Sequence, residues 1–172
     1  MAGIAAGGDV SVVTVGAVPD GHGRFILDEA VARLPTALRT LCRREAATFA
    51  GAAAEMGLSY QSLSFDVAHA VNARWGHGDK SARPGVRTAW VTVTVTTSDP
   101  VQFLADVIAE TGVRCPVMNL LLDMDVDLRI DWVRNGPEGP RPVPRDYITG
   151  AVREDDFTCG SSLLGDSCPP GE

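Results

Sequence analysis

The chain alternates between segments with the two-residue period of strands and segments with the longer period of helices. Alternating apolar and polar positions, bounded by turn residues, predict strands over residues 10–15, 24–27, 59–71, 87–97 and 126–132. The first two strands are separated by the turn-rich sequence Pro19-Asp20-Gly21-His22-Gly23 and are expected to form a hairpin. The third and fourth strands are expected to pair as neighbours.

Helical spacing of apolar residues predicts a long helix over residues 34–56, with Gly57 as its C-terminal stop. A second helix is predicted from Ser98-Asp99-Pro100, where Ser or Asp caps the free amides, to about Thr111, with Gly112 ending it. Cys115-Pro116 begins a short helical segment that extends to about Leu122. This order of elements favours an α+β fold in which an antiparallel or mixed sheet wraps around the long central helix.

Composition changes abruptly after Asn135, where glycine and proline become frequent. We therefore expect one domain over residues 1–134 and an extended, partly disordered tail over residues 135–172. A length of 172 residues fits a single domain of this kind with a substantial core.

Charge and hydropathy exclude several classes of protein. A net charge of −7 and a pI near 4.9 argue against a nucleic-acid partner, which requires a clustered basic surface. No apolar run approaches the roughly 20 residues that cross a bilayer, so no membrane association is expected. The N-terminal sequence lacks the basic and apolar regions of a secretory signal, which predicts a cytoplasmic protein with reduced thiols.

The residues that commonly bind metals do not have metal-site spacing. Cys42, Cys115, Cys159 and Cys168 include no CxxC pair, and the three histidines are widely separated. We therefore expect neither a metal nor another cofactor. His69 continues the inward face of its strand and is expected to be a structural histidine that makes hydrogen bonds.

The element order, together with the sequence Cys115-Pro116-Val117 after a helix and before the last strand, resembles the OsmC/Ohr family of thiol-dependent hydroperoxide reductases. The resemblance covers approximately residues 24–132. It implies an intertwined homodimer with active sites at the subunit interface, a small apolar hydroperoxide as substrate and a dithiol as reductant. It also implies a peroxidatic cysteine on the long helix and a resolving cysteine in the Cys-Pro motif, which correspond here to Cys42 and Cys115.

Thiol chemistry of this kind needs a cation to stabilise the thiolate. The resemblance points to Arg24 in the hairpin strand, with Arg43 and Arg44 as further possibilities. The family spacing, counted back from Gly57, places the nucleophile at position 44 rather than 42. Helical phase, however, puts Cys42 at the centre of the apolar face and Arg44 on the opposite side.

The Pro-Glu motif that holds the arginine in the family has no counterpart, because Pro35 is followed by Thr36. Glu45 is the candidate replacement, since it follows Cys42 by three residues on the same helical face. It would act as a general base or hold an arginine; otherwise it lies at the edge of the apolar stripe, and its carboxylate reaches solvent or a neighbouring arginine.

Three functions remain open from the sequence. The first is reduction of organic hydroperoxides by Cys42 and Cys115. The second is a non-redox reaction, such as cyclisation or hydrolysis of an apolar small molecule, with Glu45 and Arg44 as acid–base groups. The third is a non-catalytic, ligand-binding dimer whose cysteines only pack.

Overall fold

The computed structural model describes residues 10–19, 25–71, 85–124 and 126–145. The strands in these residues are β1 (Val10–Pro19), β2 (Phe25–Leu27), β3 (Ser62–Val71), β4 (Val86–Thr96), β5 (Asp127–Gly136) and β6 (Gly139–Pro142). The α-helices are α1 (Thr36–Met56), α2 (Val101–Arg114) and α3 (Pro116–Asp123), and a 3₁₀ helix spans Glu29–Arg33.

All six strands belong to one sheet in the order β2-β1-β3-β4-β5-β6. Each neighbouring pair is antiparallel except β4 and β5, which are parallel and are connected through α2 and α3. The predicted hairpin, the predicted β3–β4 pairing and the α+β class with a mixed sheet are therefore confirmed. The wrapping of the sheet around a central helix and the intertwined homodimer stay predictions.

The alternation predicted for the central strands places one face of the sheet in the core. On β4 the inward residues are buried, whereas the threonines between them are only partly buried. Phe65 on β3 lies opposite Val93 on β4, and both side chains are fully buried. Against this face, Phe49 of α1 contacts the rings of Tyr60 and Trp132, with ring centroids 5.3 and 5.6 Å away. This aromatic group joins α1 to the sheet.

Two details of the helix predictions are wrong. Neither Ser98 nor Asp99 caps α2, because the N-cap position is occupied by Pro100. The Asp99 carboxylate instead accepts a hydrogen bond from the backbone N–H of Ser59 at 2.8 Å, which ties the start of α2 to the segment before β3. Gly112 does not end the helix, which continues to Arg114.

The C-terminal part of the sheet extends beyond the predicted last strand. β5 continues to Gly136, and β6 pairs with it inside the stretch that was expected to be an extended tail. Val143 follows β6 and is buried, with its backbone N–H donating to the carbonyl of Trp132. Residues 146–172 lie outside the described part of the chain, so for them the tail stays a prediction.

The end of α1 supplies a test with a matched control on the same helix. Gly57 has a φ of 82°, and a Cβ would contact nothing within 4 Å at either Gly57 or Gly51. Gly57→Ala should lower the free energy of unfolding by about 1 kcal/mol, because a Cβ is strained at positive φ. Gly51→Ala should raise it by about 0.5–1 kcal/mol, because alanine favours the helix.

Urea denaturation of the two variants measures both effects. Equal effects of the same sign would contradict the left-handed geometry at the end of α1.

Candidate functional site

The first part of the candidate site lies on the buried face of α1. Cys42 and Glu45 are separated by slightly less than one helical turn, and they are 0% and 2% exposed. Arg44 is exposed, as is Arg43. Cys42 therefore lies on the buried face of α1 and Arg44 on the opposite side, as helical phase predicted. The alternative in which the Glu45 carboxylate reaches solvent is wrong.

The second part of the site is the junction between α2 and α3. Cys115 occupies the N-cap position of α3 without a capping hydrogen bond from its side chain, and Pro116, which has no N–H to lose, occupies the first helical position. The backbone N–H of Cys115 still donates to the carbonyl of Thr111, so the junction remains tied to α2. The Cys115 side chain is fully buried, and both α2 and α3 pack against α1.

Glu45 connects the two parts. The Glu45 carboxylate acts on both the Cys42 and the Cys115 thiols, and its effect is to raise the pKa of each. Both thiols are free and belong to the hydrophobic core. Three of the five predicted site residues, Cys42, Glu45 and Cys115, are therefore buried on helices that pack against one another.

Burial dominates the acid–base behaviour of all three groups. It raises the pKa of Glu45, and the Cys115 side chain opposes this effect. Burial, reinforced by the charge of Glu45, raises the pKa of Cys42 to about 12. Burial and Glu45 raise the pKa of Cys115 to about 11, against the opposing effect of the Met118 and Val117 amides. Both thiols are therefore protonated at neutral pH in this closed arrangement.

The hydrogen-bonding capacity of the Glu45 carboxylate is not fully satisfied. The Oε2 atom of Glu45 is buried and makes no hydrogen bond to any residue in the described ranges. A buried carboxylate oxygen without a partner is costly, so the site is held by the packing around it rather than by its own polar contacts.

The expected arginine partner is not found beside the thiols within the described residues. Arg24 lies outside them. Arg39, on α1, directs its guanidinium to the carbonyls of Ala32 and Leu34, at 3.1 and 3.2 Å. Among the described residues, no arginine contributes to the pKa shifts of Cys42, Glu45 or Cys115.

His69 is buried, as predicted for a structural histidine, but its hydrogen bonding differs from the expectation. Its Nδ1 atom is buried and has no hydrogen-bond partner in the described part of the chain. Burial lowers the pKa of His69, which favours the neutral imidazole. His22, His77, Cys159 and Cys168 lie outside the described residues.

Sequence reasoning missed the effect of Glu45 on the pKa of Cys115 and the position of Cys115 at the N-cap of α3. Proline directly after Cys115 was an available signal for the second feature, because it favours a cysteine at the N-cap. In the described ranges, no group of three or more His, Cys, Asp or Glu side chains is arranged to hold a metal ion. No helix there is sufficiently long and apolar to cross a membrane.

Comparisons with known proteins gave one similar structure. No family model matches the sequence, and no curated protein matches it. Among solved structures, the chain is similar to an OsmC-like protein from Mycoplasma pneumoniae, with 16% sequence identity and a TM-score of 0.49. The matched region covers 76% of this chain and 99% of that one.

The raised pKa of Glu45 predicts how stability depends on pH. In the unfolded chain a glutamate loses its proton near pH 4.5, whereas in the folded chain it holds the proton to higher pH. The contribution of this group is therefore fully present below pH 4.5 and is lost as the pH rises through the folded value. Glu45→Gln removes this pH-dependent loss of stability and should raise the free energy of unfolding at pH 8 by about 1–3 kcal/mol.

Urea denaturation at pH 4 and pH 8 measures the difference, which should be small at pH 4. Glu55→Gln is the control, because Glu55 is on the same helix but pairs with Arg114 at the surface. It should change stability by less than about 0.5 kcal/mol. If the Glu45→Gln protein is less stable than the wild type at pH 8, favourable interactions offset the cost of burying the carboxylate, and the prediction is wrong.

Proposed function

We propose that this protein is a thiol-dependent peroxidase that reduces small organic hydroperoxides through Cys42 and Cys115. The observation that carries the proposal is the presence of two free, fully buried thiols on two helices that pack against each other, Cys42 on α1 and Cys115 at the N-cap of α3. The resemblance of the Cys115-Pro116-Val117 segment and the element order to the OsmC/Ohr family supports the same chemistry.

The proposed reaction has two halves. One thiol attacks the hydroperoxide, the O–O bond breaks, and a sulfenic acid and an alcohol form. The second thiol then displaces hydroxide from the sulfenic sulfur, which gives a Cys42–Cys115 disulfide and water. A dithiol reductant restores the two thiols by exchange. The resemblance assigns the first attack to Cys42 and the second to Cys115.

The surroundings of the thiols fit an apolar substrate. Cys42 and Cys115 both belong to the hydrophobic core, where an alkyl or aryl group is better accommodated than a charged one. Because both thiols are inaccessible to solvent, a hydroperoxide reaches them only when the structure opens locally. Opening also rehydrates the sulfurs, which favours the reactive thiolate.

The peroxidase proposal predicts turnover that depends on both cysteines. The protein should consume cumene hydroperoxide in the presence of a dithiol, and Cys42→Ser and Cys115→Ser should each abolish multiple turnover. The rate should increase as the pH rises from 7 towards 10, because both thiol pKa values lie above this range. Hydroperoxide consumption followed at several pH values measures this, and an inactive wild-type protein would remove the proposal.

A second function is favoured by the unpartnered Oε2 of Glu45 and by the lack of an arginine beside the thiols in the described residues. Here the same site would perform a non-redox acid–base reaction on an apolar small molecule. The exposed position of Arg44 leaves Glu45 as the acid–base group. This alternative is supported if the wild-type protein does not consume hydroperoxide and a reaction on an apolar substrate survives both cysteine substitutions but not Glu45→Gln.

We further propose that the protein acts as a homodimer and that the surface near Cys115 is part of its interface. Large apolar side chains are exposed at the end of α2 and along α3. They are Val113, Leu120, Leu122 and Met124, each between 51% and 78% exposed. Water contact with so many apolar groups in one short region is unfavourable, and a second copy would remove it.

Sedimentation velocity tests the dimer. The wild-type protein should sediment as a dimer at micromolar concentration, and Leu120→Glu should shift it towards monomer by placing charges in the interface. Val12→Glu is the control, because Val12 is 69% exposed on β1, at a distance in sequence from α3. A monomeric wild-type protein would contradict the proposal.

A further inference from the structure

α3 is the least buried of the three α-helices. Only Leu121 is buried among its eight residues, whereas α1 has nine buried residues and α2 has five. Val117 and Met118 are half-buried and pack against the core. A helix of this length is not stable in water on its own. The helical structure of α3 therefore depends on a few contacts, and Leu121 makes the most deeply buried of them.

The junction between α2 and α3 has the features of a hinge. Cys115 separates the two helices and has an extended backbone, with φ −77° and ψ 105°. Its N–H donates to the carbonyl of Thr111 at 2.9 Å and so belongs to α2. Pro116 has no N–H and makes no such bond back to α2. Rotation about this junction can therefore move α3 while α2 stays in place.

Cys115 lies just beneath the surface of the protein. It is 0% exposed, although Arg114 and Pro116 on either side of it are exposed. Its burial therefore depends on the elements packed around it, and one of these is α3, which begins at this residue and packs against α1. Displacement of α3 uncovers Cys115 and the part of α1 that α3 contacts.

We propose that α3 is a lid over the thiol site, and that its displacement, rather than unfolding of the domain, gives small molecules access to Cys115. The basis is one buried anchor, Leu121, on a short helix that follows a break in the backbone. Opening exposes only the small apolar surface of α3, so it requires less free energy than global unfolding. The role of the lid in peroxide reduction rests on the proposed function, whereas the lid itself does not.

The outer side of α3 bears on how the lid is held closed. Leu120 and Leu122 are exposed there, and a second copy covers them in the proposed dimer. This partner would add to the contacts that keep α3 in place. All proteins in the tests below are therefore compared at one protein concentration, so that the dimer contact contributes equally.

Two leucine variants separate opening of the lid from unfolding of the domain. Leu121 anchors α3, whereas Leu104 is buried in the first turns of α2 and keeps its contacts when α3 moves. Iodoacetamide labelling of Cys115, located by mass spectrometry, measures opening. Hydrogen exchange of the β4 amides measures global unfolding, because β4 is bonded to a neighbouring strand on each side.

Leu121→Ala should raise the labelling rate of Cys115 at least about tenfold, because loss of a buried leucine favours the open state. Leu104→Ala should accelerate exchange in β4 by a similar factor but change labelling of Cys115 less than about twofold. Equal acceleration of both readouts in Leu104→Ala overturns the lid, as does unchanged labelling in Leu121→Ala. If Leu121→Ala does not fold, Leu121→Val replaces it, with a smaller increase expected.

The urea dependence of the wild-type protein is an independent readout. Well below the unfolding transition, labelling of Cys115 should be nearly independent of urea, because displacement of α3 exposes little surface. Exchange of the β4 amides should accelerate steeply over the same range. Equal urea dependence of the two rates would show that Cys115 becomes accessible only by global unfolding, and the inference is then wrong.

Consumption of cumene hydroperoxide distinguishes failure of the lid from failure of the proposed function. With a dithiol present, consumption should follow the labelling rates, and so be faster in Leu121→Ala and unchanged in Leu104→Ala. If labelling behaves as expected but no hydroperoxide is consumed, the lid is supported and the peroxidase is wrong. If the two variants consume hydroperoxide at equal rates, the peroxidase is supported, and α3 does not control access of the substrate.

Discussion

The parallel pairing of β4 with β5 is the constraint on which the candidate site depends. A parallel pair cannot be closed by a tight turn, so the chain must cross from the end of β4 back to the start of β5. The crossover consists of α2 and α3, which pack against α1. The break between these two helices is Cys115, and it therefore lies opposite the buried face of α1. Sheet topology brings Cys115 to Glu45, although the two residues are distant in sequence.

Glu45 is an ionisable residue on an otherwise apolar, buried face of α1. The neighbouring buried residues of α1 are apolar, and alanine at this position would satisfy the core without an unpaired oxygen. A protein that keeps a carboxylate at such a position sacrifices stability there, and positions of this kind are commonly functional. The same burial that destabilises the carboxylate makes it a stronger base, since it raises the pKa of Glu45.

The sequence predicted the features that depend on one element at a time. Alternation identified β3 and β4 because each has one face in the core, and helical phase separated Cys42 from Arg44. Features that depend on two elements were missed. The Asp99 carboxylate accepts a hydrogen bond from the Ser59 amide instead of capping α2. The strand β6 was not predicted because Pro140 and Pro142 suppress the strand signal. Proline is tolerated there because β6 is an edge strand.

The packing of α3, with Cys115 at its N-cap, against α1 belongs to the same class of features that no single segment encodes. Its physical consequence is that both thiols are buried, and in the proposed peroxidase burial has two opposing effects. It raises the pKa values of the thiols and so slows attack by the closed state, yet it also keeps water and excess oxidant from a sulfenic acid. The two effects belong to different states of the proposed cycle, because local opening admits the hydroperoxide and rehydrates the sulfur, and closure then shields the sulfenic acid.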